Sequence, residues 1–237
     1  MGAWPIGYVA RMSSSEEEQA GWGSPAESEP RWPASLAVIA AVGLYLVLPG
    51  SLTVWLGPRW LVSSLEVVLV VSLTVVSPRR ISAESRRLRV VAIVLIALIN
   101  LANVVTLGHL IDALLYSSRI GGRTLVYASL PVWLTNVVVF ALWYWELDRG
   151  GPSARLQQYH RQPDFLFPQM SVPQAAPLGW SPKFLDYLYT SFTNATAFSP
   201  TDTMPLTAWA KLLMMIQSFA SLLTVALVVS RAVNILN

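Results

Sequence analysis

Five long apolar stretches, separated by shorter polar segments, dominate the pattern of this sequence. A helix that crosses the hydrocarbon core of a membrane needs roughly 20 mostly apolar residues. The apolar stretches cover residues 34–48, 60–76, 88–116, 124–145 and 206–236. The first is short and is closed by Pro49-Gly50, and the last is long enough to tilt or project. The pattern therefore predicts an all-α integral membrane protein with about five transmembrane helices.

The composition excludes an ordinary soluble domain. Of the 237 residues, 54% are hydrophobic and 12% are charged, which is too apolar for a chain that folds in water. The net charge of +3 comes from arginines between apolar stretches and not from a basic stripe, so no nucleic-acid partner is expected. The sequence has no cysteine, which excludes disulfides and thiolate chemistry. The partner that the composition predicts is the lipid bilayer.

Polar segments divide the chain into four regions. Residues 1–33 lack an apolar core and predict a disordered tail that is not a signal peptide. Residues 34–145 carry four of the predicted transmembrane helices, and residues 146–180 form a Pro-rich connector on the membrane surface. Within the connector, the segment 163–170 is too apolar for a solvated linker, so we expect it to lie along the membrane or to pack against the bundle. Residues 181–237 contain a short helix, a polar hairpin and the last transmembrane helix.

The basic residues predict an orientation, because cytoplasmic loops of membrane proteins carry an excess of Lys and Arg. The densest cluster, between the second and third apolar stretches, consists of Arg79, Arg80, Arg86, Arg87 and Arg89. The connector adds Arg149, Arg155 and Arg161 on the same side of the bundle. We therefore expect the N-terminus and the connector to be cytoplasmic.

The segment before the last apolar stretch predicts a short re-entrant or interfacial helix over residues 182–195. Ser181 is a favourable N-cap and Pro182 occupies the favoured first position of a helix. Apolar residues at helical spacing give this helix an apolar face, namely Phe184, Leu185, Leu188, Tyr189 and Phe192. The polar run 193–203 follows and contains Pro200. Polar backbone at membrane depth is stable only where protein buries it or water hydrates it.

This segment, TSFTNATAFSPTDTMP, resembles the pore helix, filter and exit of the potassium-channel pore module. Thr196, Asp202 and Pro205 correspond to the filter threonine, aspartate and proline of that family. Ser199-Pro200-Thr201 stands where the family has Gly-Tyr-Gly, whose glycines let consecutive carbonyls point at the ion. The resemblance implies a channel-like protein that passes ions or small solutes without the usual potassium selectivity. It also implies several subunits around an axis, four as in that family.

The chain also resembles a group of multi-spanning bacterial membrane proteins that carry the segments NATAFSPTDTMPL and WYWELDRGGP. That resemblance implies a location in the bacterial inner membrane and no particular activity. Residues predicted to line a pore are Thr193, Asn194, Thr196, Ser199, Pro200, Thr201 and Asp202. Two alternatives stay open: a non-conducting structural or accessory protein whose hairpin is a plug, and a membrane-embedded enzyme with Glu146, Asp148 and Asp202 as candidate acids.

A second set of polar residues falls in or near the apolar stretches, where polar groups usually face the interior of a bundle. These residues are Glu66, Asn100, Asn103, His109, Asp112, Asn136 and Gln217. They are interpreted either as a polar path, with His109 and Asp112 as a proton relay, or as ordinary interhelical hydrogen bonding. Neither histidine of the chain has the spacing of a metal ligand, so no metal or other cofactor is expected.

The end of the fourth stretch combines aromatic and charged residues. Trp143-Tyr144-Trp145 is typical of an aromatic belt at the membrane interface. Glu146 and Asp148 follow, and we expect them to form ion pairs with Arg149, Arg155 or Lys183 that pin the connector.

Overall fold

The computed structural model describes residues 32–48, 64, 68, 86–116, 122–155, 162–172, 180–196 and 202–236. Its helices are α1 (Trp32–Val47), α2 (Arg86–Tyr116), α3 (Gly122–Leu147), α4 (Pro152–Arg155), α5 (Pro168–Ser171), α6 (Phe184–Thr196) and α7 (Ala208–Leu236). A 3-10 turn over Asp148–Gly150 follows α3 directly. The predicted helical character is therefore confirmed for the described residues.

Among the residues that the structure describes, three helices are long and apolar enough to cross a membrane. Their apolar spans are Ala92–Ala113 in α2, Val126–Gly150 in α3 and Ala208–Val229 in α7. The first predicted span forms α1, which has 16 residues and is shorter than a full crossing. The second, 60–76, lies almost wholly outside the described residues, since only Ser64 and Val68 are described and both are helical. A transmembrane protein with three candidate spans is thus confirmed.

Several helix termini share one end of the bundle, which we call the charged end. A 3.5 Å contact between Arg89 Nε and Glu146 Oε1 places the start of α2 beside the end of α3. The indole of Trp209 donates to Asp164 Oδ1 at 3.0 Å, which brings the start of α7 to the connector. Ala34 at the start of α1 belongs to the same apolar core as Trp145.

The opposite end of the bundle has an apolar core of its own. Leu48, just past α1, packs there with Leu110 of α2 and Ala128 of α3. Because α1 starts at the charged end and finishes here, it runs across the bundle in the direction opposite to α3.

The connector packs against the bundle, as the sequence predicted for its apolar segment. Phe165, Phe167 and Met170 are buried in the main core. Phe165–Leu166 forms a two-residue strand (β1) that pairs antiparallel with Met204–Pro205 (β2). This short ladder was not predicted, because two paired residues leave no alternating pattern in the sequence. It fastens the connector to the segment just before α7.

The short helix α6 begins at Phe184, two residues later than predicted. The reason is its capping: Asp186 accepts a hydrogen bond from the Lys183 backbone N–H at 2.7 Å, so the first turn is closed from within the helix. The predicted apolar face is only partly buried. Leu185, Tyr189 and Phe192 are exposed.

The face of α6 that packs against α3 and α7 mixes aromatic with small and polar residues. Its buried members are Phe184, Tyr187, Thr190, Ser191 and Ala195. In a membrane the exterior of a bundle is apolar, so apolar side chains gain nothing by facing inward, while polar ones need protein partners.

Candidate functional site

The chain enters the bundle along α6 and returns to the charged end within a few residues. At the start of α6, the Phe184 ring lies edge-on to Trp145, with centroids 5.9 Å apart. At its other end, the hydroxyl of Ser221 donates to the Ala195 carbonyl. Ser221 lies 13 residues into α7, which corresponds to a depth of about 20 Å. The hairpin therefore reaches deep between α3 and α7.

The return of the chain is marked at Thr203. Its hydroxyl oxygen lies 3.1 Å from that of Thr190, halfway along α6. The backbone N–H of Leu206 then donates to the Asp164 carbonyl at 2.8 Å, at the charged end. We call α3, α6, residues 202–207 and α7 the hairpin unit.

Gln217, which is fully buried in α7, holds the hairpin unit together from within. Its side-chain oxygen accepts hydrogen bonds from the Tyr144 hydroxyl at 2.6 Å and from the Asn194 amide at 2.8 Å. Its side-chain nitrogen lies 2.7 Å from the Ser191 hydroxyl oxygen and 3.0 Å from the Ser191 carbonyl. Asn136 donates to the backbone carbonyl of Gln217 at 3.4 Å. This Gln217 network joins all three helices of the unit.

The last turn of α6 is capped by side chains of α7. A helix end leaves carbonyls without intrahelical partners, and burial makes an unpaired carbonyl costly. Ser218 bonds to the Asn194 side-chain oxygen at 3.0 Å, and Ser221 supplies the donor for Ala195. The indole of Trp133 in turn donates to the Ser221 hydroxyl at 2.7 Å. The deep end of α6 is therefore fixed in depth and in rotation.

A second polar cluster fixes the entrance of the hairpin at the charged end. Asp148 is fully buried and accepts from the Tyr187 hydroxyl at 2.6 Å and from the Asp164 backbone N–H at 2.9 Å. Its carboxylate also pairs with Arg149 Nε at 3.2 Å, which confirms one of the predicted ion pairs. Burial raises the pKa of Tyr187 well above its ordinary value, so the phenol stays protonated and able to donate.

The turn that follows α3 lets this cluster form. Arg149, Gly150 and Gly151 have φ values of 52°, 85° and 97°, all in the left-handed region. A Cβ added at Gly151 would lie 2.8 Å from the Glu146 carbonyl oxygen, so the close approach requires glycine. Arg155 folds back and donates to the Trp145 carbonyl at 2.7 Å.

Two predictions about the end of α3 need correction. Glu146 pairs with Arg89 of α2, a partner not foreseen from the sequence. Tyr144 and Trp145 are 0% and 1% exposed and lie in the core, so they do not form an interfacial belt. Their aromatic and polar neighbours in α6 and the connector come from distant parts of the sequence, which an interpretation of the local pattern misses.

The predicted pore residues are distributed in three ways. The Thr193 hydroxyl donates to the Tyr189 carbonyl at 2.9 Å. The Thr196 hydroxyl donates to the Thr193 carbonyl at 2.7 Å, so both bonds lie within α6. Asn194 belongs to the Gln217 network, and Asp202 is exposed. Ser199, Pro200 and Thr201 lie outside the described residues.

The predicted intramembrane polar residues fall into two groups. Asn136 and Gln217 meet in the Gln217 network. The others that are described lie on α2: Asn103 is buried, Asn100 and His109 are half-buried, and Asp112 is exposed. Glu66 lies outside the described residues. Among the residues that the structure describes, no group of three or more histidine and acidic side chains is placed to hold a metal ion.

Sequence reasoning missed several residues that organise this site. They are Tyr144, Asp164, Tyr187, Ser191, Trp209, Ser218 and Ser221. One signal was present: Gln217, Ser218 and Ser221 place three polar side chains close together in a helix that is otherwise apolar. Such a cluster in a transmembrane helix indicates a polar partner inside the bundle.

Chemically, the two clusters provide rigid positioning. The Asp148 carboxylate is already engaged by hydrogen bonds and by Arg149, and the Gln217 amide has partners on both its oxygen and its nitrogen. What the arrangement presents is a fixed short helix that ends deep in the bundle. Comparisons of the chain with protein-family models, with curated proteins and with solved structures find no match.

Proposed function

We propose that this chain is a channel-like membrane protein in which the hairpin unit acts as a pore module with a rewritten filter. The observation that carries the proposal is the course of the chain, which goes in along α6 and comes back at Thr203 on the same side. A segment that enters and leaves a membrane on one side is stable only where protein or water surrounds its backbone. Pore loops are the main functional use of such backbone.

The dimensions of α6 fit this role. Its 13 residues span about 20 Å, which is roughly two thirds of a hydrocarbon core of about 30 Å. In the proposal the helix therefore ends inside the membrane. Its exposed side carries Leu185, Tyr189 and Phe192, which suits contact with lipid or with another apolar surface.

The proposed path is formed by the turn 197–201 together with Asp202, from several copies around an axis. One copy cannot enclose a path, since the described polar side chains of α6 bond to their own chain. Four copies are proposed by analogy with the potassium-channel pore module. Without the filter glycines, conduction would lack the usual potassium selectivity.

The proposal includes five transmembrane spans in a bacterial inner membrane. The α1 helix finishes at the end of the bundle opposite the charged end, whereas α2 starts at the charged end. The proposal assigns the missing span to the apolar stretch 60–76, which is long enough to cross a membrane. Many arginines lie at the charged end, which favours a cytoplasmic position for that end and for the N-terminus.

A second candidate function is a non-conducting accessory protein in which the hairpin is a plug. It is favoured by Asn194, whose amide nitrogen bonds to Gln217 at 2.8 Å and to the Met214 carbonyl at 3.0 Å. A residue held in this way closes the bundle interior and does not line a path.

Ion flux through purified protein in liposomes separates the two candidates. If the hairpin conducts cations, Asp202→Asn removes an exposed charge at the mouth and lowers flux about fivefold, as expected for ~1 kcal/mol of Coulomb attraction. The matched control is Asp112→Asn, the same change at an exposed aspartate of α2 outside the hairpin unit, which should leave flux unchanged. Thr196→Val tests whether that hydroxyl turns from its helix toward the path, in which case flux falls. Flux no higher than in protein-free liposomes rejects conduction and leaves the plug, and equal flux in wild type and Asp202→Asn rejects a position of Asp202 at the mouth of a cation path.

A further inference from the structure

An apolar groove runs along the outer face of α7, beside the deep end of α6. Its volume is about 880 Å³, within the range of ligand sites. The walls are formed mainly by Leu212, Met215, Phe219 and Leu222 of α7. From Lys211 to Leu222 the groove extends about 16 Å along the helix axis.

The floor of the groove offers no unsatisfied polar group of α6. Asn194 lines it, but its side-chain nitrogen is bonded to Gln217 and its side-chain oxygen to Ser218. An occupant of this part therefore has to be apolar, because a polar one would lose its hydration without gaining a partner.

The entrance of the groove carries a positive charge. Lys211 is exposed and lines the groove one turn into α7. It is the only charged residue from Trp209 to Ser230, a stretch of otherwise apolar and neutral polar residues. A lysine near the end of a transmembrane helix extends its ammonium group toward the membrane interface. The groove thus has one positively charged side chain at the membrane interface and an apolar lining from there into the membrane.

We propose that this groove binds an anionic phospholipid, with one acyl chain along α7 and the phosphate at Lys211. Half of a hydrocarbon core of about 30 Å is about 15 Å, which is the depth that one acyl chain occupies in one leaflet and matches the length of the groove. The charge at the entrance selects a head group with a net negative charge over a zwitterionic one. The site does not depend on conduction by the hairpin.

The test compares phosphatidylglycerol and phosphatidylcholine with identical acyl chains, titrated into the purified full-length protein in detergent. Bound lipid is counted by native mass spectrometry. A lysine near the membrane surface contributes ~1 kcal/mol, so wild type should bind phosphatidylglycerol about fivefold more tightly. Lys211→Gln should abolish this preference, and Lys211→Arg should retain it. The matched control is Lys183→Gln, which changes the only other lysine of the chain, also exposed and at the charged end.

A groove-blocking variant tests the acyl-chain part of the proposal. Met215→Trp fills the middle of the groove and should weaken both lipids by a similar factor while leaving the helical circular dichroism spectrum unchanged. Equal affinity of wild type for the two lipids overturns the proposal. So does a loss of preference in Lys183→Gln as large as that in Lys211→Gln. Crosslinking between copies through a cysteine at position 215 would show that a second copy covers the groove, and would also overturn it.

Discussion

Replacing Gln217 by leucine tests whether the Gln217 network positions the hairpin. Leucine has nearly the same size, so the change removes hydrogen bonds and leaves little cavity. It breaks the bonds of Gln217 to Tyr144, to Asn194 and to Ser191. Interhelical hydrogen bonds in membranes average about 0.6 kcal/mol and reach about 1.7 kcal/mol.

The expected loss follows from what the partners can recover. Asn194 keeps its bond to the Met214 carbonyl, and Ser191 keeps its bond to the Val137 carbonyl at 2.6 Å. The Tyr144 hydroxyl retains only a 3.4 Å contact with Asn194. Three average bonds lost amount to about 1.8 kcal/mol, and partial recovery lowers the expected destabilisation to about 1–1.5 kcal/mol. A double-mutant cycle with Tyr144→Phe should give a coupling of about 0.6–1.7 kcal/mol.

The measurement is reversible unfolding in bicelles by added dodecyl sulfate, followed by circular dichroism. A second readout uses the absence of cysteine in the chain. With Thr196→Cys as a reporter at the end of α6, maleimide labelling should accelerate when Gln217 becomes leucine, because the hairpin loosens before the bundle unfolds. Ile216→Leu, the adjacent exposed position, is the control and should change neither readout. A Gln217→Leu protein as stable as wild type, or a coupling near zero, would refute the reasoning.

Three other predictions concern the charged end and the helix termini. Asp148→Asn removes a fully buried charge from its partners and should lower the free energy of unfolding by about 3–5 kcal/mol. It should also expose the connector to protease. The control Asp202→Asn changes an exposed site and should alter the free energy of unfolding by less than about 0.5 kcal/mol. Gly151→Ala should lower the free energy of unfolding, measured by thermal denaturation, by about 2 kcal/mol, because the φ of Gly151 is 97° and an added Cβ would lie 2.8 Å from a carbonyl oxygen. The control Gly108→Ala, in open space on a helix, should be neutral or stabilising. Burial raises the pKa of Asp186, so the folded protein binds its proton more tightly than the unfolded chain does. The stability that this group contributes is therefore present at low pH and lost as the pH rises through the raised pKa. Asp186→Asn should reduce the dependence of the free energy of unfolding on pH between about pH 4 and pH 7. An unchanged pH dependence would contradict this.

The long helices could be predicted from the sequence because a bilayer imposes a simple rule. Apolar length alone locates α2, α3 and α7 to within about two residues of their observed ends. The rule fails for α6, which does not cross the bundle. There Leu185, Tyr189 and Phe192 face outward, and Thr190 and Ser191 face inward.

The contacts that build the site could not be predicted from local sequence patterns. Tyr144 and Gln217 are separated by 73 residues, and neither local sequence indicates that these two residues are in contact. The Asp148 cluster combines three segments in the same way, since its partners come from the connector and from α6. The capping signals at Ser181 and Pro182 correctly predicted a short helix before the last apolar stretch, but they contained no information on these bonds.

The capping of α6 by α7 has a consequence for the biosynthesis of the protein. A chain inserted from its N-terminus completes α3 and the connector before Gln217, Ser218 and Ser221 have been translated. During that interval, Asn194 and the last carbonyls of α6 lack the partners that make their burial in lipid tolerable. If the hairpin unit lies in the membrane as proposed, α6 enters together with α7, because α7 supplies the partners that the last turn of α6 needs.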